Sequence, residues 1–318
     1  MNRRSVVVPF WQDRPSGEAL EVASAADELG YEELWIGEMA TFDAFALGTA
    51  VGRTTGLTLT IGPLAVGVRT PASMAIGIAS VSALTGRPAR LGLGASSPVV
   101  VNKWHGRQWE ATARNLAESA DIVRAVLSGE RTDHDGRVAS SHGYRLRLEP
   151  PGCHLTIAAF GLRALAVAAE RADRLVMNMV TAASAAHLVS RLRRLCGDAP
   201  LPEVAVWLPT TLDPTPEDHA QLAHARVGYV GAPGYGEMLR EAGYGDLVDL
   251  ARSGAHPRTI AGSIPPELDD VVGLAGNVRH VEDRIAEYHA AGVDEVCLVP
   301  TTATSPAGAR TLEALAPG

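Results

Sequence analysis

The sequence predicts an α/β protein: a (β/α)8 TIM barrel with a helical insertion before the last strand. Two observations carry this. Short apolar, β-rich runs alternate eight times with helix-length segments across 318 residues. The central stretch 57–97 reads as strand, loop, helix, tight turn and strand, and such βαβ units build parallel sheets. The competing architecture is a doubly wound open sheet, but no GxGxxG opens a helix after the first strand. No linker divides the chain, so residues 1–318 are read as one domain with insertions at about 130–150 and 212–276.

In order, residues 5–10 form the first strand, closed by Pro9 and the turn at 13–17. Residues 18–29 form a helix stopped by Gly30. The Leu-Trp-Ile run of 33–37 is the second strand, with Glu38 at its C-terminal end, and 43–52 is the second helix. The third strand, 57–61, ends at Gly62-Pro63. Pro71 opens a helix, where its missing N–H costs nothing, and Thr85-Gly86-Arg87-Pro88 stops it. Residues 91–94 are the fourth strand, 96–108 a polar and aromatic loop, and 109–127 a long amphipathic helix. Turns at Asp135-Gly136 and His142-Gly143 mark 130–150 as a hairpin-like excursion. Strands at 155–159, 173–177 and 204–211 alternate with helices at 161–171 and 182–195. Residues 212–276 are too long for a loop without internal structure and contain helical pieces at 217–228, 234–242 and 245–252. A helix at 279–291, a strand at 293–300 and a closing helix at 307–315 complete the series.

Composition excludes several function classes. A net charge of −8 with no basic run disfavours nucleic acid. No apolar run approaches the ~20 residues of a membrane span, and the N-terminus reads as a strand rather than a signal peptide, so the cytoplasm is expected. Cys153, Cys196 and Cys297 are far apart, and the ten histidines show no metal-ligand spacing, so no metal site is expected. Lys103 is the only lysine, and its VNKWHGR context matches no P-loop, pyridoxal-phosphate or Schiff-base motif.

A barrel places its chemistry at the C-terminal ends of its strands. The groups there are Trp11, Glu38, Met39, Gly62, Pro63, Ser96, Ser97, Gly161, Arg163 and Asn178. Gly161-Leu162-Arg163 opens a helix, whose free N–H groups and positive dipole end favour a phosphate, with Arg163 as a charged partner. The alternative is a plain helix start with a solvated arginine. Ser96 and Ser97 are either cofactor contacts or turn and capping serines. Trp104-His105-Gly106-Arg107 is the most distinctive cluster. His105 is a candidate proton carrier, Trp104 and Trp11 are candidate substrate contacts, and Arg107 is a candidate holder of a substrate carboxylate or of a coenzyme's acidic tail. The bland reading has Trp104 packed and both polar side chains bonded to loop carbonyls. Glu38 is a candidate proton donor or, equally, a structural carboxylate.

These residues also carry a family resemblance. Gly62, Pro63, Arg69, Pro71, Ala72, Leu84, Thr85, Gly86, Arg87 and then 91–94 resemble the luciferase-like oxidoreductase superfamily. WHGR at 104–107, PGYGEMLREAGYGDLV at 233–248, IPPEL at 264–268 and VEDRIAEYHAAGVDEVCLVP at 281–300 are similar to its coenzyme F420 (deazaflavin) subgroup. The resemblance implies a luciferase-like barrel and a bulge at Ile61-Gly62-Pro63, often with a non-prolyl cis bond, supporting the deazaflavin ring. It also places the cofactor phosphate near Gly161, Leu162 and Arg163, and Met39 beside the ring. The family's alcohol-oxidising members use a histidine and a glutamate where this chain has Met39 and Ser97, so reduction of a C=C or C=N bond is expected instead. The rival with the same fold is an FMN-dependent monooxygenase, and the less favoured one a non-catalytic ligand-binding barrel. A homodimer and a small-molecule substrate are further implied. The alanine stripe Ala72, Ala75, Ala79 and Ala83 either permits close helix packing between subunits or lies inside.

Overall fold

The computed structural model describes residues 3–11, 13–38 and 40–317. Its elements begin with β1 (Arg3–Val7), α1 (Glu18–Glu28), β2 (Glu33–Ile36), α2 (Ala44–Thr54), β3 (Thr58–Ala65), α3 (Pro71–Thr85) and β4 (Ala89–Gly94). A π-helix (Val99–Trp104), α4 (Thr112–Leu127), β5 (Asp133–Asp135) and β6 (Ser140–His142) follow. Next come β7 (Leu155–Ala158), α5 (Leu162–Arg171), β8 (Arg174–Asn178), α6 (Ala182–Cys196) and β9 (Glu203–Leu212). The insertion contains α7 (Pro216–Val230), α8 (Tyr235–Glu241), α9 (Gly245–Arg252), α10 (Pro257–Ser263), α11 (Leu268–Val271) and β10 (Leu274–Gly276). The chain closes with α12 (Val278–Ala290), β11 (Glu295–Pro300), a 3-10 turn and α13 (Ala309–Ala314).

The chain divides into two compact units, one of residues 32–176 and 191–204, the other of 1–31, 177–190 and 205–318. In the first, β2, β3, β4, β7 and β8 pair in parallel in that order. Their Leu34, Leu59, Ile61, Leu91, Leu93, Leu155 and Ile157 are buried, the near-continuous apolar reading expected of strands covered on both faces. α3 is where sequence pattern alone is least informative, because it is apolar on every side and has no charged residue. Thr70 caps it, with Pro71 in the first turn, and Gly86 in the left-handed region ends it. Ala75 and Ala79 are buried while Ile76 and Leu84 are exposed, so the middle of the alanine stripe packs within the chain.

The 130–150 excursion is an antiparallel hairpin of β5 and β6. Its tip is fastened by one side chain of α4. The Glu118 carboxylate accepts the backbone N–H groups of Arg137 (3.1 Å), Val138 (2.8 Å) and Ala139 (2.8 Å). Burial works to raise this carboxyl, but the three N–H donors outweigh it and hold it below its ordinary range. Glu118→Ala is therefore expected to raise amide exchange at 137–139 by about tenfold, with the strands of the same unit unchanged. Exchange measured by mass spectrometry checks this.

In the second unit the order is β10-β9-β11-β1, again parallel. The insertion is more ordered than expected: α10, α11 and β10 extend it beyond the three helices read from the sequence. Gln221 of α7 fixes it locally, accepting from the N–H of Thr302 (2.9 Å) and donating to Asp13 (3.3 Å). Asp269 of α11, paired with the buried Arg226 and bonded to His219 at 2.9 Å, ties α11 back to α7.

Candidate functional site

The site is built around a defect in β3. The strand does not stop at Gly62-Pro63, as the turn residues suggest, but continues to Ala65 through a bulge. Ile61 pairs with Leu91, and the next pair is Leu64 with Leu93, so β3 carries an extra residue there. Gly62 takes a φ of +126°, and the Gly62–Pro63 bond is cis. This cis bond is prolyl, not the non-prolyl bond that the resemblance implies. The alternating glycines of β4 make room for the bulge. A Cβ on Gly92 would lie 3.2 Å from Pro63 Cα, and one on Gly94 would lie 3.1 Å from Pro63 Cβ and 3.6 Å from Ala158 Cβ. Pro63, Gly94 and Ala158 are thus neighbours, and β3, β4 and β7 end in one shelf of backbone. Ile61 itself is buried, its side chain directed to α2, where a Cβ on Gly48 would meet its Cδ1 at 2.7 Å. Any contact of Ile61 with a ligand is therefore through its main chain.

Three residues beyond Ala158, Gly161 begins α5 in an extended conformation with no side-chain cap. The first N–H groups of a helix have no partner within it. Here they sit beside exposed Gly161, Leu162 (58% exposed) and Arg163. No ion pair or hydrogen bond engages Arg163 among the described residues. An open helix N-terminus with a free guanidinium at the end of a barrel strand suits a ligand carrying a phosphate.

At the end of β2, Glu38 accepts from Arg69 Nε at 2.9 Å, again from Arg69 Nη2, and from the N–H of Ala44 at 3.2 Å. Arg69 also pairs with Asp43, the N-cap of α2, and lies 5.1 Å over the Phe45 ring. Its bonds to Glu38, opposed by partial burial, raise its pKa further. Burial would raise Asp43, but the N–H of Ala46, Arg69 and the N–H of Phe45 outweigh it and lower its carboxyl. Bonded in this way Glu38 has the geometry of the structural carboxylate rather than of a proton donor. Arg69 is the functional-looking residue to which the sequence assigned no role. Its signal was two acids after β2 facing one arginine after β3.

The loop after β4 is more regular than the sequence suggests. Ser96 adopts a left-handed φ of +56° and is exposed. The Ser97 hydroxyl accepts the N–H of Val100 at 3.3 Å, the capping alternative for that serine. Val99–Trp104 is a π-helix, and Trp109 precedes α4 rather than starting it. Trp104, His105 and Arg107 are exposed, and their side chains bond to no loop carbonyl among the described residues. Trp11 belongs to the other unit, where it is buried and donates from Nε1 to the Pro300 carbonyl at 2.9 Å, so its polar end is already used. Met39 lies outside the described residues. Among the described residues no cluster of three or more potential metal ligands is present, and no helix is long and apolar enough to cross a membrane.

The Luciferase-like monooxygenase family model matches residues 7–295, and the chain belongs to that family. A Mycobacterium tuberculosis protein that carries the name of a coenzyme F420-dependent oxidoreductase is 26% identical, over 96% of this chain and 96% of its own. A 5,10-methylenetetrahydromethanopterin reductase of Archaeoglobus fulgidus is 23% identical, over 91% of each. The structure of the coenzyme F420-dependent tetrahydromethanopterin reductase of Methanopyrus kandleri superposes with a TM-score of 0.81, over 99% of this chain and 98% of that one, at 17% identity. That likeness shows the fold, an α/β luciferase-like TIM barrel of eight parallel strands, as the alternation of elements predicts. The protein is an oxidoreductase of this family.

Proposed function

We propose that this chain is a coenzyme F420-dependent oxidoreductase that moves a hydride between the deazaflavin C5 and a small organic substrate, in the sense of C=C or C=N reduction. The observation that carries the reading is the bulge at Gly62-Pro63, packed on Gly92 and Gly94 of β4 with Ala158 of β7 beside it, three residues before the uncapped start of α5 at Gly161. The full-length similarity to a protein named as an F420-dependent oxidoreductase, and to a reductase, supports it further.

When bound, the deazaflavin supplies two-electron hydride chemistry at C5. The chain's own work is positioning. At the bulge Gly62 has no side chain and Ile61 turns its own toward α2, so a planar ring can approach the main chain closely. The N–H groups at the start of α5 and the Arg163 guanidinium would hold the phosphate, and Ser96 stands exposed between these two places in the chain. Glu38 and Asp43 hold Arg69 and thereby tie the end of β2 to the segment that follows the bulge. Met39 and Ser97 replace the acid–base pair of alcohol-oxidising relatives, which disfavours alcohol oxidation, where the hydroxyl must lose its proton as the hydride leaves, and favours reduction of a C=C or C=N bond. FMN, with its own phosphate, suits the same shelf and is the alternative cofactor of a luciferase-like monooxygenase.

Fluorescence titration with oxidised F420, run beside FMN, tests the reading. The wild type is expected to bind F420 at least about tenfold more tightly than FMN. Arg163→Gln should weaken F420 by about tenfold through loss of one charge-assisted contact. Preference for FMN would overturn the reading in favour of the monooxygenase, and binding of neither would favour a barrel without redox function.

A further inference from the structure

The loop between β4 and α4 holds a second feature that ring and phosphate binding leave unused. In a chain of charge −8, residues 98–114 contain Lys103, Arg107 and Arg114 with only one acid, Glu110. Residues 102–110 are all exposed, and Trp104 is 48% exposed, unusual for so large an apolar side chain. Lys103, His105 and Arg107 have no side-chain partner among the described residues.

The loop is nevertheless fixed in place. Val101 is fully buried against Gly67, where an added Cβ would lie 3.0 Å from its Cγ1. The π-helix closes through His105 N to Val100 O (3.2 Å), Gly106 N to Asn102 O (3.1 Å) and Arg107 N to Val101 O (2.9 Å). Gly106 supplies the left-handed φ of +62° that this closure needs. Trp109 Nε1 donates to the Ala95 carbonyl at 2.9 Å and pins the far side. The crest is a pre-formed cationic and aromatic surface next to the end of β4.

We propose that the crest at 103–107 binds the oligo-carboxylate tail of the coenzyme, outside the place where its ring is seated. This rests on the deazaflavin reading. Exposure decides between a tail and a substrate carboxylate. Solvent-screened cations give each single contact little energy, so they suit a flexible polyanion that meets several of them at once. A substrate held for reaction needs a shielded position instead. Lys103 and Arg107 supply the charge, His105 adds to it when protonated, and the Trp104 face covers the methylene stems of the tail. FMN ends at its phosphate and has no such group to place there.

The test measures binding, not turnover. Oxidised coenzyme with one glutamate, the same coenzyme with six, and the riboside lacking phosphate and tail are titrated into wild type and into a Lys103→Gln/Arg107→Gln variant. Each titration is run at low and at high salt. Wild type should bind the six-glutamate form about tenfold more tightly than the one-glutamate form at low salt. That gap should close in the variant and at high salt, while riboside affinity stays the same and shows that the variant is folded. An equal gap in both proteins, or no gap in the wild type, overturns the crest assignment and leaves the deazaflavin reading intact. Absence of binding by all three forms removes the deazaflavin reading, and the crest assignment with it.

Discussion

Gly62→Ala is expected to cost about 3–5 kcal/mol, read as a lowered midpoint in urea with an unchanged slope. Two independent penalties combine. The residue has φ +126°, a region that an L side chain avoids. A Cβ there would also lie 2.3 Å from Gly92 O, 2.8 Å from Gly92 C and 2.8 Å from Leu64 N. All three are backbone atoms of a paired ladder, so no flexible side chain can move aside. Relief requires β3 to separate from β4, which dismantles the shelf. Any soluble Gly62→Ala protein should therefore also lose coenzyme binding. Gly161→Ala makes a useful contrast, because nothing lies within 4 Å of a Cβ there and its φ is ordinary. Stability should then change little.

The second large effect lies at the opposite ends of the same strands. Arg174, fully buried at the start of β8, donates to Glu33 (2.7 Å), Thr60 (2.8 Å) and Thr156 (3.2 Å) and lies 4.2 Å over the Trp35 ring. Arg90 closes the network on Glu33 at 2.6 Å. Removing one partner of a buried pair leaves the other under-compensated, so Arg174→Met should cost about 3 kcal/mol. His154 reports on this region. Burial first, and then Arg90 and Arg174, hold its imidazole below the ordinary value. A base depressed in the folded state takes up its proton more readily when unfolded. It therefore contributes stability that is complete above pH ~6.5 and is lost as the pH falls through the folded value. Arg174→Met removes one of the depressing charges, so the His154 titration followed by NMR should move upward. Coenzyme affinity should stay the same, because this charge network lies at the strand starts, away from the C-terminal rim.

The parts of this account legible in the sequence were those with a strong local signal. Pro71 and Gly86 bounded α3 to the residue, because a ring-locked φ and a left-handed stop leave little choice. Gly161 marked the start of α5 for the same local reason. The bulge was implied by resemblance, yet its extent was not legible. Gly62-Pro63 is ordinary turn chemistry, and the pairing of Leu64 with Leu93 and of Ala65 with Gly94 keeps the chain in the sheet beyond it. The Glu38–Arg69 pair was hidden because 31 residues separate its members. The π-helix was hidden because nothing in VVVNKW distinguishes it from a loop until Val101 is seen packed against Gly67. α10, α11 and β10 were missed because short Gly- and Pro-flanked segments carry too little periodicity to register.

The measurement that bears most directly on the central claim is amide exchange of the full chain with and without saturating oxidised F420. A ligand seated on the shelf predicts protection concentrated at residues 61–66, 92–97 and 161–165, with the β5–β6 hairpin at 133–142 unchanged. Protection confined to other segments, or none at a concentration where fluorescence shows binding, would contradict the assignment of this rim as the seat of the coenzyme.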